Sequence, residues 1–439
     1  MDLLKNIFKG DKVIWIIFLC LCLISIIEVF SAASTLTYKS GDHWGPITQH
    51  SIILMVGAVV VVFLHNVPYK WFQVFPVFLY PVSLVLLAFV TLMGIITGDR
   101  VNGAARWMTF MGLQFQPSEL AKMAVIIAVS FILSKKQDEY GANPKAFKYI
   151  MILTGLVFIL IAPENLSTAM LLFGVVCMMM FIGRVAAKKL LLLAGGLILI
   201  GALGVGTVVA IPAKTLHSTP GLHRLETWQN RIKGFFDKDE VPAAKFDIDK
   251  DAQIAHARIA IATSHVVGKG PGNSIQRDFL SQAFSDFIFA IVVEEMGLIG
   301  GIFVVFLYLW LLMRAGRIAQ KCERTFPAFL VMGIALLLVS QAILNMMVAV
   351  GLFPVTGQPL PLVSKGGTST LINCAYIGMI LSVSRYTAHL EEQKEHDAQL
   401  QLQIETNAAD SEAQAAAEPT AQILNSDAKF EDENDINKG

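Results

Sequence analysis

Residues 286–313 read DFIFAIVVEEMGLIGGIFVVFLYLWLLM, with Asp286, Glu294 and Glu295 as the only charges. The run exceeds the roughly 20 apolar residues that a helix needs to cross the hydrocarbon core of a bilayer. Within lipid a segment must satisfy its own backbone polar groups, which selects a helix. Similar runs lie near 13–33, 47–65, 71–96, 117–134, 148–162, 166–183, 189–211, 327–350 and 367–386. The expected fold is an all-α polytopic membrane protein of about ten transmembrane helices. One large polar loop, 212–285, separates spans seven and eight.

Composition points the same way. Of 439 residues, 55% are hydrophobic and 15% charged, with a mean hydropathy of +0.60. A water-soluble fold does not bury that much apolar surface. The 34 Lys and Arg balance the 34 Asp and Glu, so no whole-chain basic field exists to hold nucleic acid. The first span has a rival interpretation as a signal peptide, because Lys5, Lys9 and Lys12 precede a run that ends in Ser31-Ala32-Ala33. The run is longer than the usual apolar core of such peptides and is read as a retained helix.

Short cytoplasmic loops carry the excess of Lys and Arg. Placing residues 1–12 in the cytoplasm groups Lys70, Lys135, Lys136, Arg184, Lys188, Arg314, Arg317 and Arg385 with them. The opposite side's short loops hold only Lys39, Arg100, Arg106 and Lys365. The loops 97–116, 212–285 and 351–366 then face outward, and both termini inward. None of the five cysteines falls in the long outer loop, and no disulfide framework is suggested. Residues 387–439 form an acidic cytoplasmic tail, with thirteen acidic residues against three lysines from 388 onward. Beyond a few helical turns at 388–404 it is expected to be solvated and disordered.

Chemistry is sought on the outer face. Ser285 and Asp286 stand where the long loop enters the eighth span; Ser285 suits a helix cap and Asp286 a first-turn acid favoured by the helix dipole. Capping and catalysis weigh equally on these residues alone. Helix geometry places Glu294 about 80° around from Asp286, facing the same cavity, and Glu295 nearly opposite. Glu119 and Lys122 share one face of the fourth span after Pro117, suited to pairing with each other or to a charged head group. The stretch 268–274, GKGPGNS, invites a phosphate-cradle interpretation but lacks the earlier glycine of a Walker loop, which favours a plain turn. Arg224, Trp228, Arg231, Lys233, Phe235 and Phe236 suit an interfacial helix, as an anchor or as a contact for an anionic head group. Residues 351–369 are dense in Pro and Gly; such backbone at membrane depth is tolerated only where it lies buried in protein or lines a cavity, which suggests a re-entrant segment.

Several ordered motifs resemble one family. They are Asn102-Gly103-Ala104-Ala105-Arg106-Trp107, Gln116 through Lys122, Ser285 to Phe289 followed by Glu294-Glu295 and Gly297, and Gly351 through Ser369. Over about residues 10–386 the chain resembles the SEDS family (shape, elongation, division and sporulation), membrane proteins of bacterial wall synthesis that include FtsW and RodA. Three stretches depart from the family pattern: residues 163–168, Lys365 where Tyr is common, and residues 281–284.

The resemblance implies a peptidoglycan glycosyltransferase that polymerises lipid II and releases undecaprenyl diphosphate, with Asp286 as its essential residue and general base. It further implies that Arg106, Lys122 and Lys365 hold diphosphate and that Trp107 packs on lipid or sugar. Glu119, Glu294 and Ser364 complete the expected substrate contacts. No organic cofactor is implied; a divalent cation, Mg or Mn, is an alternative counter-charge, although no ligand cluster with diagnostic spacing is seen. The implied partners are a class B penicillin-binding protein, other divisome proteins and the bilayer, with no nucleic acid. The run from Asp286 to Gly301 and the loop Ser364 to Ser369 resemble the division type more than the elongation type, placing the chain in the cytoplasmic membrane at the septum. A lipid II flippase and a scaffold that only recruits a transpeptidase are the competing functions.

Overall fold

The computed structural model describes residues 9–32, 45–96, 108–110, 113–138, 141–211, 229, 251–280 and 285–435. Ten of its helices fall on the ten apolar runs: α1 (Lys12–Ala32), α2 (Gly45–Asn66), α3 (Phe75–Ile96), α4 (Pro117–Lys135), α5 (Pro144–Ile161), α6 (Leu166–Ile182), α7 (Ala187–Ala210), α9 (Ile288–Lys321), α10 (Thr325–Ala349) and α11 (Gly367–Asp435). Eight are long and apolar enough to span a membrane. The shorter α6, at 17 residues, is apolar as well, and α7 carries 24 mostly apolar residues. The helix α8 (Asp251–Ala262) lies within the long loop. Two short hairpins, Met108–Phe110 with Leu113–Phe115 and Gln137–Asp138 with Gly141–Ala142, are additions to the all-α expectation.

Local sequence explains several helix ends. Pro117 and Pro144 start α4 and α5, where a missing N–H costs nothing. Asn143 and Asn165 cap α5 and α6 through their side-chain oxygens. At the centre, α10 packs on α9, α4 and α6, while α9 also meets α1 and α8. The described parts of α2 and α3 expose large apolar side chains such as Val59, Phe63, Phe78 and Val85, as suits helices bathed in lipid.

Helix α9 is broken. Gly297 has φ 72° and ψ −175°, a conformation open in practice only to glycine, so Ile288–Met296 forms a short first segment. The break strands backbone groups, and the chain from the long loop satisfies them. Lys269 and Gly270 donate their amides to the carbonyls of Glu294 and Glu295 at 3.0 and 2.8 Å. His265 and Val266 offer carbonyls to the amides of Leu298 and Ile299 at 3.2 and 3.3 Å. This strap lies so close that a Cβ on Gly297 would stand 2.3 Å from the Val266 carbonyl, and one on Gly268 2.3 Å from the Gly297 nitrogen.

The chain divides into two units, Met1–Arg385 and Tyr386–Gly439. In the second, the helix continues to Asp435, and every described side chain from Glu391 to Ala409 is exposed. The expected tail has no packed face there, but it is helical well beyond residue 404. Its Ala, Glu and Gln content favours helix without a partner surface.

Candidate active site at the loop-bearing end of the bundle

The start of α9 differs from the sequence expectation. The helix begins at Ile288 with Phe287 as N-cap and no side-chain capping bond. Ser285 donates instead to Asp286 Oδ1 at 3.1 Å, and residues 285–287 form a turn. Asp286 therefore precedes the first turn rather than occupying it, and the capping explanation for both residues falls away. It lies half-buried.

The main chain at this turn is latched from two sides. Asn345 Nδ2 donates to the Asp286 carbonyl at 2.9 Å and to the Gln358 carbonyl at 2.7 Å. Ser364 Oγ donates to the Ser285 carbonyl at 2.7 Å and accepts the Leu360 amide at 2.8 Å. Ser364, expected to touch substrate, is thus buried and committed to the scaffold.

The segment 351–366 is irregular and largely packed within the protein, and several of its carbonyls are satisfied by side chains. Ser167 donates to the Thr356 carbonyl at 2.7 Å, Gln341 to Pro359 at 3.0 Å and Ser25 to Val363 at 2.7 Å. The Tyr308 hydroxyl binds the Pro361 carbonyl. These donors come from α6, α10, α1 and α9, so four helices hold one irregular segment and satisfy its buried backbone.

Glu119 and Lys122 form a buried ion pair at 2.8 Å, and Lys122 also donates to Gln341 Oε1 at 2.8 Å. The pair thereby props the amide that holds Pro359. Burying two charges is costly; their mutual attraction and the Gln341 bond offset part of that cost, while Glu119 Oε2 stays buried without a partner among the described residues. Lys365 is half-buried on the same segment, and burial lowers its pKa below the ordinary lysine value.

Glu294 is elsewhere. The helical-wheel argument fails because Asp286 precedes the helix. The Glu294 carboxylate binds Lys269 Nζ at 2.5 Å, the Ser274 hydroxyl and the amides of Ile275 and Gln276. Glu295 accepts the amides of Gly272 and Ser274 at 2.9 and 3.2 Å and the Ser31 hydroxyl, with Arg277 3.8 Å away. The glycine-rich stretch does cradle anions, and they are the chain's own two glutamates. The amides of Lys269, Gly270, Gly272 and Ser274 are thus spent on the backbone and side chains of these two glutamates, which argues against a phosphate cradle at 268–274.

Arg106 and Trp107 lie outside the described residues, as do 281–284 and, apart from Gln229, 224–236. Among the described residues no group of three His, Cys, Asp or Glu is placed to hold a metal. Gln341, Asn345, Gln358 and Tyr308 hold this site without having stood out in the sequence. Two amides one turn apart in an apolar span, Gln341 and Asn345, were the available signal, since polar groups inside a bilayer are expensive.

This fold and site define a polytopic helical membrane protein with an aspartate, its main chain latched, at the junction of a loop, a broken helix and an irregular buried segment. Residues 11–389 match the family model described as cell cycle protein, FtsW/RodA/SpoVE, and the chain belongs to that family. The probable peptidoglycan glycosyltransferase FtsW of Trichlorobacter lovleyi is 32% identical over 88% of this chain and 96% of its own length. The protein of the same description from Geobacter sp. strain M18 is 32% identical over 87% and 98%. Among solved structures, one chain of a peptidoglycan synthase complex superposes with a TM-score of 0.67 at 24% identity, covering 87% of this chain and 99% of that one. The Thermus thermophilus rod shape determining protein RodA gives 0.58 at 23% identity, covering 87% and 98%. These two likenesses concern the fold.

Proposed function

We propose that this multi-pass membrane protein is a peptidoglycan glycosyltransferase of the division type, polymerising lipid II at the outer face of the cytoplasmic membrane. The observation that carries the proposal is Asp286: a half-buried carboxylate, outside the helix it precedes, whose own carbonyl and its neighbour's are held by Asn345 and Ser364. A general base needs such fixed placement, since proton transfer demands hydrogen-bond reach in the reacting geometry.

In the reaction the 4-hydroxyl of one saccharide attacks the anomeric carbon of the other chain. The new glycosidic C–O bond forms as the bond to diphosphate breaks, and Asp286 takes the hydroxyl proton. The departing diphosphate carries the leaving negative charge. Lys365, on the segment beside this turn, and Arg106, by its family position, supply cationic stabilisation. Lys122 acts on the scaffold through Gln341, and Glu294 acts on the strap through Lys269 and Ser274.

The partner proposed is a class B penicillin-binding protein that cross-links the product; divisome proteins and a septal location accompany the division-type assignment. Both termini are placed in the cytoplasm on the Lys and Arg distribution. The test supplies labelled lipid II to the purified chain with that transpeptidase, and in parallel to liposomes containing the chain. Glycan ladders from the wild type support polymerisation. Transbilayer movement of lipid II without polymer would replace it with the flippase function.

A further inference from the structure

We infer that Asn345 is a positioning residue for the glycosyl transfer, acting through the main chain of Asp286; the inference rests on the function proposed above. Asn345 sits on α10, buried, one turn beyond Gln341. Its amide spends both N–H groups on carbonyls, those of Asp286 and Gln358. Because both partners are acceptors, the amide orientation is fixed: a reversed side chain would set an oxygen against two oxygens.

The same arrangement leaves Asn345 Oδ1 buried without a hydrogen-bond partner among the described residues. An unpaired buried acceptor is costly, and native proteins seldom keep one without a use. The use here is geometric. A carboxylate offers no donor and a hydroxyl offers one, whereas a terminal amide offers two from one atom. Those two donors tie the turn bearing Asp286 to the irregular segment, so the base and Lys365 are held in one frame. Gln358 extends the tie, donating to Thr168 Oγ1 on α6 at 2.5 Å.

The experiment uses the full chain with its transpeptidase partner and measures lipid II polymerisation at several substrate concentrations. The variants are Asn345→Ala, Asn345→Ser and Asn345→Asp, each checked for a monodisperse, folded state. Positioning predicts that kcat falls at least tenfold in Asn345→Ala and less in Asn345→Ser, while KM stays within twofold. Asn345→Asp is isosteric but offers at most one O–H donor where the amide offers two, so it cannot restore both ties and its kcat should fall as well. If Asn345→Ala does not fold, the serine and aspartate variants are read by the same rule. A wild-type kcat in the folded variants, or a loss carried by KM, overturns the inference. If the wild type itself makes no polymer, the proposed function fails instead; a wild type that polymerises while Asp286→Ala does not keeps that function, and the Asn345 variants then test the inference alone.

Discussion

Replacing Gly297 by alanine should uncouple α9 from the strap that closes its break. At φ 72° and ψ −175° a non-glycine residue costs about 1–3 kcal/mol from backbone strain alone. The added Cβ would also meet backbone rather than a flexible side chain, with Val266 O, Val267 C and Gly268 N at 2.3, 2.4 and 2.5 Å. Relief requires residues 266–268 to move, which breaks some or all of the four backbone bonds across the break. At about 0.5–1.5 kcal/mol net for each bond, the total loss falls at roughly 3–9 kcal/mol. That is a large share of the roughly 5–15 kcal/mol by which proteins exceed their unfolded states. Thermal unfolding of the detergent-solubilised chain reads it directly, and Gly268→Ala should fall by a similar amount because its Cβ would strike the same crossing. The two changes combined should cost less than their sum, since either one already displaces the strap. A Gly297→Ala protein with a wild-type unfolding temperature would refute the packing of loop against broken helix.

Other consequences follow from the buried charges and the half-buried lysine. Lys122→Met removes the partner of the buried Glu119 and should cost about 3–5 kcal/mol of stability, while Glu119→Gln with Lys122→Met should recover most of that in the same thermal assay. Burial disfavours the charged form of Lys365, so its proton, and with it the attraction for diphosphate, is lost at a lower pH than for a free lysine. The KM for lipid II should therefore rise on the alkaline side below the ordinary lysine range, and Lys365→Arg should abolish that rise; superimposable pH profiles would remove Lys365 from the diphosphate site. Tyr308→Phe removes the donor to the buried Pro361 carbonyl and should destabilise by about 1–3 kcal/mol, read as a lower unfolding temperature.

Much of this architecture was legible in composition and run length, because the bilayer imposes helix length directly on sequence. The ten apolar helices, eight of them long and apolar enough to span a membrane, and the irregular 351–366 segment followed from apolar length and from Pro and Gly density. What escaped depended on partners distant in the chain. Nothing local to Glu294 says that Lys269 and Ser274 will claim it, and a helical wheel relates it to Asp286 only if both lie in one helix, which starts at Ile288. The two-residue shift in the start of α9 changed the meaning of Ser285 and Asp286 together, since it moved both out of capping range. Asn345 and Gln341 were visible as polar intruders in an apolar span, but their targets are main-chain carbonyls, which sequence does not distinguish from one another.

The central claim is that the Asp286 carboxylate accepts the proton of the attacking hydroxyl. Asp286→Asn keeps the shape of the side chain and leaves the carbonyl latched by Asn345 unaltered, while removing the basic oxygen. With the transpeptidase partner present and lipid II saturating, general-base catalysis predicts a loss in kcat on the order of 10²–10⁴-fold with folding intact. A folded Asp286→Asn protein that polymerises lipid II at the wild-type rate would contradict the account.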